Sequence, residues 1–226
     1  MIYNKPALSF EEQADLIISR GMVVADRQEL LERLACIGYY RLSAYWYPFR
    51  NSDDTFRSGT RFEQILRRYT FDRQLRCLLL DAIERVEVAL KTQIVTFFST
   101  HYGPFGYRNI ANFGHIDQDK FEKLQDCMIK AFDDSKEHFV SHYREKYSET
   151  SEVPLWMLAE VVTYGNIFTF YRSMKKADRC CNADFFGVSS EDIFDSWLHT
   201  LNYIRNLCAH HARLWNRELA IKPKKP

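Results

Sequence analysis

Between Gly59 and Gly103 the chain carries neither glycine nor proline, and this stretch limits the possible folds more than any other feature. Within it Ile65, Tyr69, Leu75, Leu79, Ala82, Ile83, Val86, Leu90, Ile94 and Phe97 recur at steps of three and four, the period of one helix face. The spacing predicts a single helix of about ten turns. Thr60, with Glu63 three positions on, supplies the cap-and-acid pair expected at its start. The whole chain has only eight glycines and six prolines in 226 residues, about half the usual share. Too few turn formers remain for a many-stranded sandwich or barrel, so the expected fold class is all-α.

The flanking sequence divides into further helical segments. Ser9 with Glu12 opens one that reaches about Arg20, and Asp26 with Glu29 opens one running to Gly38–Tyr40. Gly103, Pro104, Gly106 and Gly114 mark a loop. A polar helix is expected from Asp117 to Tyr147, with Phe121, Leu124, Met128 and Phe132 facing inward. Pro154 suits the first turn of the next helix, which runs through Trp156, Val161, Ile167, Phe168 and Tyr171. Gly165 in its middle costs about 1 kcal/mol against alanine, so close packing is expected there. After Gly187 a last helix begins at Ser189 or Ser190 with Phe194, Trp197, Leu198, Leu201 and Ile204 as its stripe. The polar run NSDDTFRSGT reads as a joint, giving an N-terminal helical extension over residues 1–57 and a helical domain over 58–226.

Charge excludes little. Lys plus Arg number 31 and Asp plus Glu 30, so no global basic field advertises nucleic acid. No apolar run approaches the ~18 residues of a membrane span, and MIYNKPALSFEEQ lacks the features of a signal peptide. The six cysteines form no CxxC pair, which fits reduced thiols in a cytoplasmic protein.

The densest chemistry lies in RNLCAHHARLWNR, Arg205 to Arg217, with three Arg, two His and two Asn. RNA cleavage requires removal of the 2′-hydroxyl proton, protonation of the leaving 5′-oxygen and stabilisation of a phosphorane between them. A histidine suits the proton transfers, and an arginine fork suits the phosphate charge. Neither role needs a metal or a cofactor. Arg205 and His210, five apart, lie about 140° apart around a helix, whereas Asn206 and His210 share a face. Two histidines would meet more readily across a twofold axis, so a homodimer is expected. Chance alone supplies roughly 0.6 Arg-x4-His pairs in such a composition. On spacing alone the alternative is a helix end whose histidines satisfy carbonyls and the helix dipole.

The Arg205, Asn206, His210 pattern resembles the signature of the HEPN superfamily. More broadly, five ordered blocks resemble the Abi family of abortive-infection proteins, of the AbiD/AbiF type: KPALSFEEQADLIISRG, IGYYRLSAYWYPFR, RYTFDRQLRCLLLDAIERVEVALKTQI, WMLAEVVTYGNIFTFY and RNLCAHHARLWNR. The resemblance implies a HEPN-like helical bundle with an N-terminal extension, acting in phage defence or as a toxin. The activity it implies is metal-independent endoribonuclease action leaving a cyclic phosphate. Arg205, Asn206 and His210 take the catalytic positions, and His211, Arg213, Asn216 and Arg217 fall in the extended motif, expected to bind RNA. A restraining antitoxin or a regulatory non-coding RNA is a further expected partner. A related subgroup paired with nucleotidyltransferase antitoxins has tyrosine two positions after the histidine; Ala212 stands there, which argues against that pairing. The alternative is a non-catalytic RNA-binding module of the same fold.

Three other clusters carry competing readings. In GYYRLSAYWYPFR, Tyr39, Tyr40, Arg41 and Trp46 suit stacking on bases and contact with phosphates, yet such aromatics more often anchor one helical segment to another. Glu84 and Glu87 share a helix face and suit orientation of a catalytic Arg or His; a charged face with local ion pairs is the expected reading. His138 and His142 have helical metal-pair spacing, but Phe139 breaks the HExxH pattern, and no metal is expected.

Overall fold

The computed structural model describes residues 6–114, 116–150 and 152–225. Among them are ten α-helices and no strand, so the fold is all-α. No described helix is long and apolar enough to cross a membrane. The chain forms two compact units, Met1–Leu78 with His210–Arg217, and Leu79–Ala209 with Glu218–Pro226.

The first unit contains α1 (Phe10–Ser19), α2 (Arg27–Ile37), α3 (Tyr39–Trp46) and the opening turns of α4 (Phe62–Tyr102). Ser9 and Glu12 close a full reciprocal capping box on α1, and the Asp26 carboxylate accepts the Gln28 and Glu29 amides at the start of α2. Gly38, at φ +89°, separates α2 from α3; the left-handed region it occupies suits glycine. The helix expected to reach Tyr40 therefore stops at Ile37, and the aromatic block forms a helix of its own. Ala14, Ile17, Leu30, Leu34, Leu42, Tyr45, Trp46, Phe62 and Ile65 make the core.

The polar run 51–60 lies inside this unit and does not mark its edge. Phe56 is buried in the core, its amide donates to the Arg20 carbonyl at 2.7 Å, and Val23 bridges to Arg61. The boundary expected near Arg57 therefore falls at Leu78, because one apolar residue and its backbone bonds hold the loop against the α1–α2 turn. Thr60 also departs from its expected role. Its hydroxyl donates to the Arg57 carbonyl at 2.7 Å, and α4 starts at Phe62.

The second unit contains the remainder of α4 with α5 (Gln118–Asp134), α6 (His138–Lys146), α7 (Leu155–Val161), α8 (Tyr164–Ser173), α9 (Lys176–Phe185) and α10 (Glu191–Ala209). Its core is rich in aromatics: Phe98 packs against Tyr102, Phe113 and Phe170 at centroid distances of 4.7, 5.2 and 4.9 Å. The buried Tyr107 pins the glycine-rich loop by donating its hydroxyl to the Val153 carbonyl. Phe121, Leu124, Met128 and Phe132 are buried as expected. The next inward step from Phe132 meets Lys136, so the expected 117–147 helix ends at Asp134 and resumes at His138. The expected 154–171 helix likewise breaks at Val162, where Thr163 caps α8 through the Asn166 amide.

Along α4 the apolar stripe is only partly used. Ile65, Ile83, Leu90 and Ile94 are buried, while Ala82 and Val86 are exposed. One continuous stripe therefore overstates the buried surface.

Two glycines differ in their demands. A Cβ on Gly114 would stand 2.9 Å from the Met174 carbonyl oxygen, which belongs to backbone. Gly165 lies in the first turn of α8, not in mid-helix, and its nearest neighbours would be 3.7 Å or more from a Cβ. The expected close packing there is absent. Gly114→Ala should therefore destabilise by about 1–3 kcal/mol, and Gly165→Ala should stabilise by about 0.4–1 kcal/mol. Urea denaturation of the two variants checks both signs.

Candidate functional site

The residues expected to act together are shared between the units. Arg205 and Asn206 ride on the last turn of α10 in the second unit, whereas His210 opens the segment His210–Arg217 of the first. The helix ends at Ala209, so His210 is no longer a helical residue and the shared-face argument for Asn206 and His210 does not apply. His211 turns the chain at φ +57°.

In the second unit, Arg205 is half-buried. Its Nε lies 3.9 Å from Glu87 Oε2, and its Nη1 donates to Asn206 Oδ1 at 3.4 Å. Glu87 is also 3.7 Å from Lys91 Nζ. Of the two acids on the α4 face, Glu87 thus orients the arginine, and Glu84 is exposed. Glu87 meets both readings, the local ion pair with Lys91 on its own helix and the contact with Arg205. An arginine held by one carboxylate at its Nε keeps other N–H donors to offer an anion.

In the first unit, the segment His210–Arg217 is held by a buried carboxylate. Asp72 on α4 is 0% exposed. Its Oδ1 accepts the Leu214 and Trp215 amides at 3.0 and 2.6 Å, and its Oδ2 accepts the Tyr45 hydroxyl at 2.6 Å and a guanidinium N–H of Arg76. Burial, reinforced by the bond to Asp72, pushes the Tyr45 hydroxyl up to about 12, so it remains a donor through the neutral range. The Trp215 ring lies nearly parallel to Tyr45, and Arg68 stacks over both Trp215 and Phe49. Arg41 on α3 adds a further tie by donating to the His211 carbonyl.

These contacts leave an open cavity of about 480 Å³ lined by Gly38, Tyr40, Arg41, His210, His211 and Arg213. Tyr40 is 90% exposed beside it, and both imidazoles are exposed. The other expected RNA contacts divide sharply. Trp46 is 1% exposed in the core and offers no ring face to a base; its aromatic bulk serves packing. Tyr39 packs edge-on against Trp46 and accepts from Arg20. The Arg213 guanidinium donates to the Trp215 and Asn216 carbonyls, so it shapes its own turn. Asn216 and Arg217 are exposed, and Arg217 donates to the Arg213 carbonyl. Among the described residues no group of three or more His, Cys, Asp or Glu is placed to hold a metal ion.

Asp72 was not expected to matter, although the sequence carries a signal for it. Ile65, Tyr69, Asp72 and Arg76 follow the inward steps of the α4 stripe, which places an acid on an apolar face one turn from a base. Asp72→Ala should cost about 3–5 kcal/mol, since it strands the buried Arg76 charge, and should release the segment. Tyr45→Phe should cost about 1 kcal/mol. Urea denaturation followed by Trp fluorescence measures both, and an Asp72→Ala protein as stable as the parent would show that other contacts hold the segment.

The sequence profile of the Abi-like protein family matches residues 32–216. Comparison with curated proteins and with solved structures gave no match. The matched span covers most of the chain, from α2 through the histidine segment, and the chain therefore belongs to the Abi-like protein family, which suggests a role in abortive-infection defence against phage.

Proposed function

We propose that this protein is a HEPN-type endoribonuclease of abortive-infection defence. The observation that carries the reading is an arginine positioned by a carboxylate, Arg205 against Glu87 at 3.9 Å, within the same short motif as a solvent-facing His210. His210 takes the proton from a ribose 2′-hydroxyl, and the 2′-oxygen attacks phosphorus. The bond from phosphorus to the 5′-oxygen then breaks, and a protonated imidazole of this chain or of a second copy gives that oxygen its proton. A 2′,3′-cyclic phosphate and a 5′-hydroxyl result. Arg205 holds the non-bridging oxygens as negative charge builds on them, and Asn206 steadies the guanidinium.

The assay is cleavage of single-stranded RNA with EDTA present. Arg205→Ala and His210→Ala should each lower the rate by about 100-fold or more, with Glu87→Gln falling between these and the parent. Equal cleavage by the parent and both alanine variants removes these assignments. Tight, salt-sensitive binding of RNA that stays intact favours a non-catalytic RNA-binding module instead.

A further inference from the structure

A second surface of the first unit is rich in arginine. The face of α2 carrying Glu29, Arg33 and Ile37 and the opening turns of α4 line an open cavity of about 580 Å³. An adjoining cavity of about 380 Å³ shares Arg67 and Phe71 with it. Arg67 and Arg73 are exposed, and neither forms an ion pair or side-chain hydrogen bond with a described residue. The one carboxylate on the wall, Glu29, is already paired with Arg33 at 3.2 Å. On α4 between Phe62 and Leu80 the acids are Glu63 and Asp72, and Asp72 is buried. Phe71 is 52% exposed and lines both cavities.

We infer that this groove binds a single strand of RNA, with Arg67 and Arg73 on the phosphates and an unpaired base stacked on Phe71. Uncommitted guanidinium groups suit phosphate oxygens through their planar forks. An exposed phenyl ring on the same cavity wall supplies the stacking platform that strand-binding surfaces combine with positive charge. An acidic protein partner would satisfy the arginines and leave the ring without a role, so the ring favours nucleic acid. The inference extends the nuclease reading, placing a strand-holding surface on the unit that carries His210. It concerns binding only.

The probe is a fluorescein-labelled 2′-O-methyl RNA of about 12 nucleotides, which has no free 2′-hydroxyl and stays intact whether or not the protein cleaves RNA. Anisotropy titration of the full chain should show the Arg67→Ala/Arg73→Ala variant binding at least 10-fold more weakly than the parent. Its salt dependence should be shallower by about 1.4 in log–log slope, for two lost phosphate contacts. Phe71→Ala should weaken binding by 5-fold or more. Circular dichroism melts of these surface variants should match the parent. Unchanged affinity in the double arginine variant overturns the inference, as does a polyglutamate peptide that binds the parent as tightly as the RNA and is lost with the same arginines but not with Phe71. The EDTA cleavage assay decides the nuclease reading separately.

Discussion

The first unit depends on one buried negative charge. Asp72 receives two backbone amides from the histidine segment, a tyrosine hydroxyl from α3 and a guanidinium from its own helix. A buried carboxylate is tolerated only when its lone pairs are filled and its charge is opposed, and here all four partners fulfil both conditions. Because they come from three parts of the chain, the same atom pair fixes α3, α4 and the segment 210–217 relative to one another. The cavity beside His210 is a by-product of that arrangement.

Charge positioning follows a different logic in the second unit. Glu87 is half-buried and faces Arg205 without a short hydrogen bond, so the guanidinium is oriented but not consumed. Arg213 is the contrast: it lies in the same motif and is spent on carbonyls of its own turn. Residue type alone does not separate an arginine free to meet a ligand from one that shapes a loop; its partners do.

Much of the architecture was legible from local rules. The capping pair Ser9 and Glu12, the Asp26 cap and the inward set Phe121, Leu124, Met128 and Phe132 all stand where periodicity and capping put them. What failed depended on contacts distant in sequence. Helix breaks at 135–137 and 162–163 arise where the inward face changes register, which a local window reads as continuity. The polar run 51–60 looked like a joint because Phe56 alone, among polar neighbours, gives no sign of its burial. The role of Asp72 needs residues 142 and 143 positions away, and no short-range pattern announces them. At the candidate site, the exposure of Tyr40 and the burial of Trp46, close neighbours in one aromatic block, follow from the helical turn of α3 that the sequence reading had not assigned.

The order of the chain adds a temporal consequence. Domains gather from the amino end as the ribosome delivers them, but the carboxylate of Asp72 waits for amides that emerge 142 residues later. A nascent chain halted anywhere before Leu214 has Tyr45 and Arg76 for one oxygen of this acid and neither amide for the other. The histidines are thus seated by residues that follow them, so a product terminated between His211 and Leu214 carries both imidazoles without the Asp72 bonds that seat their segment.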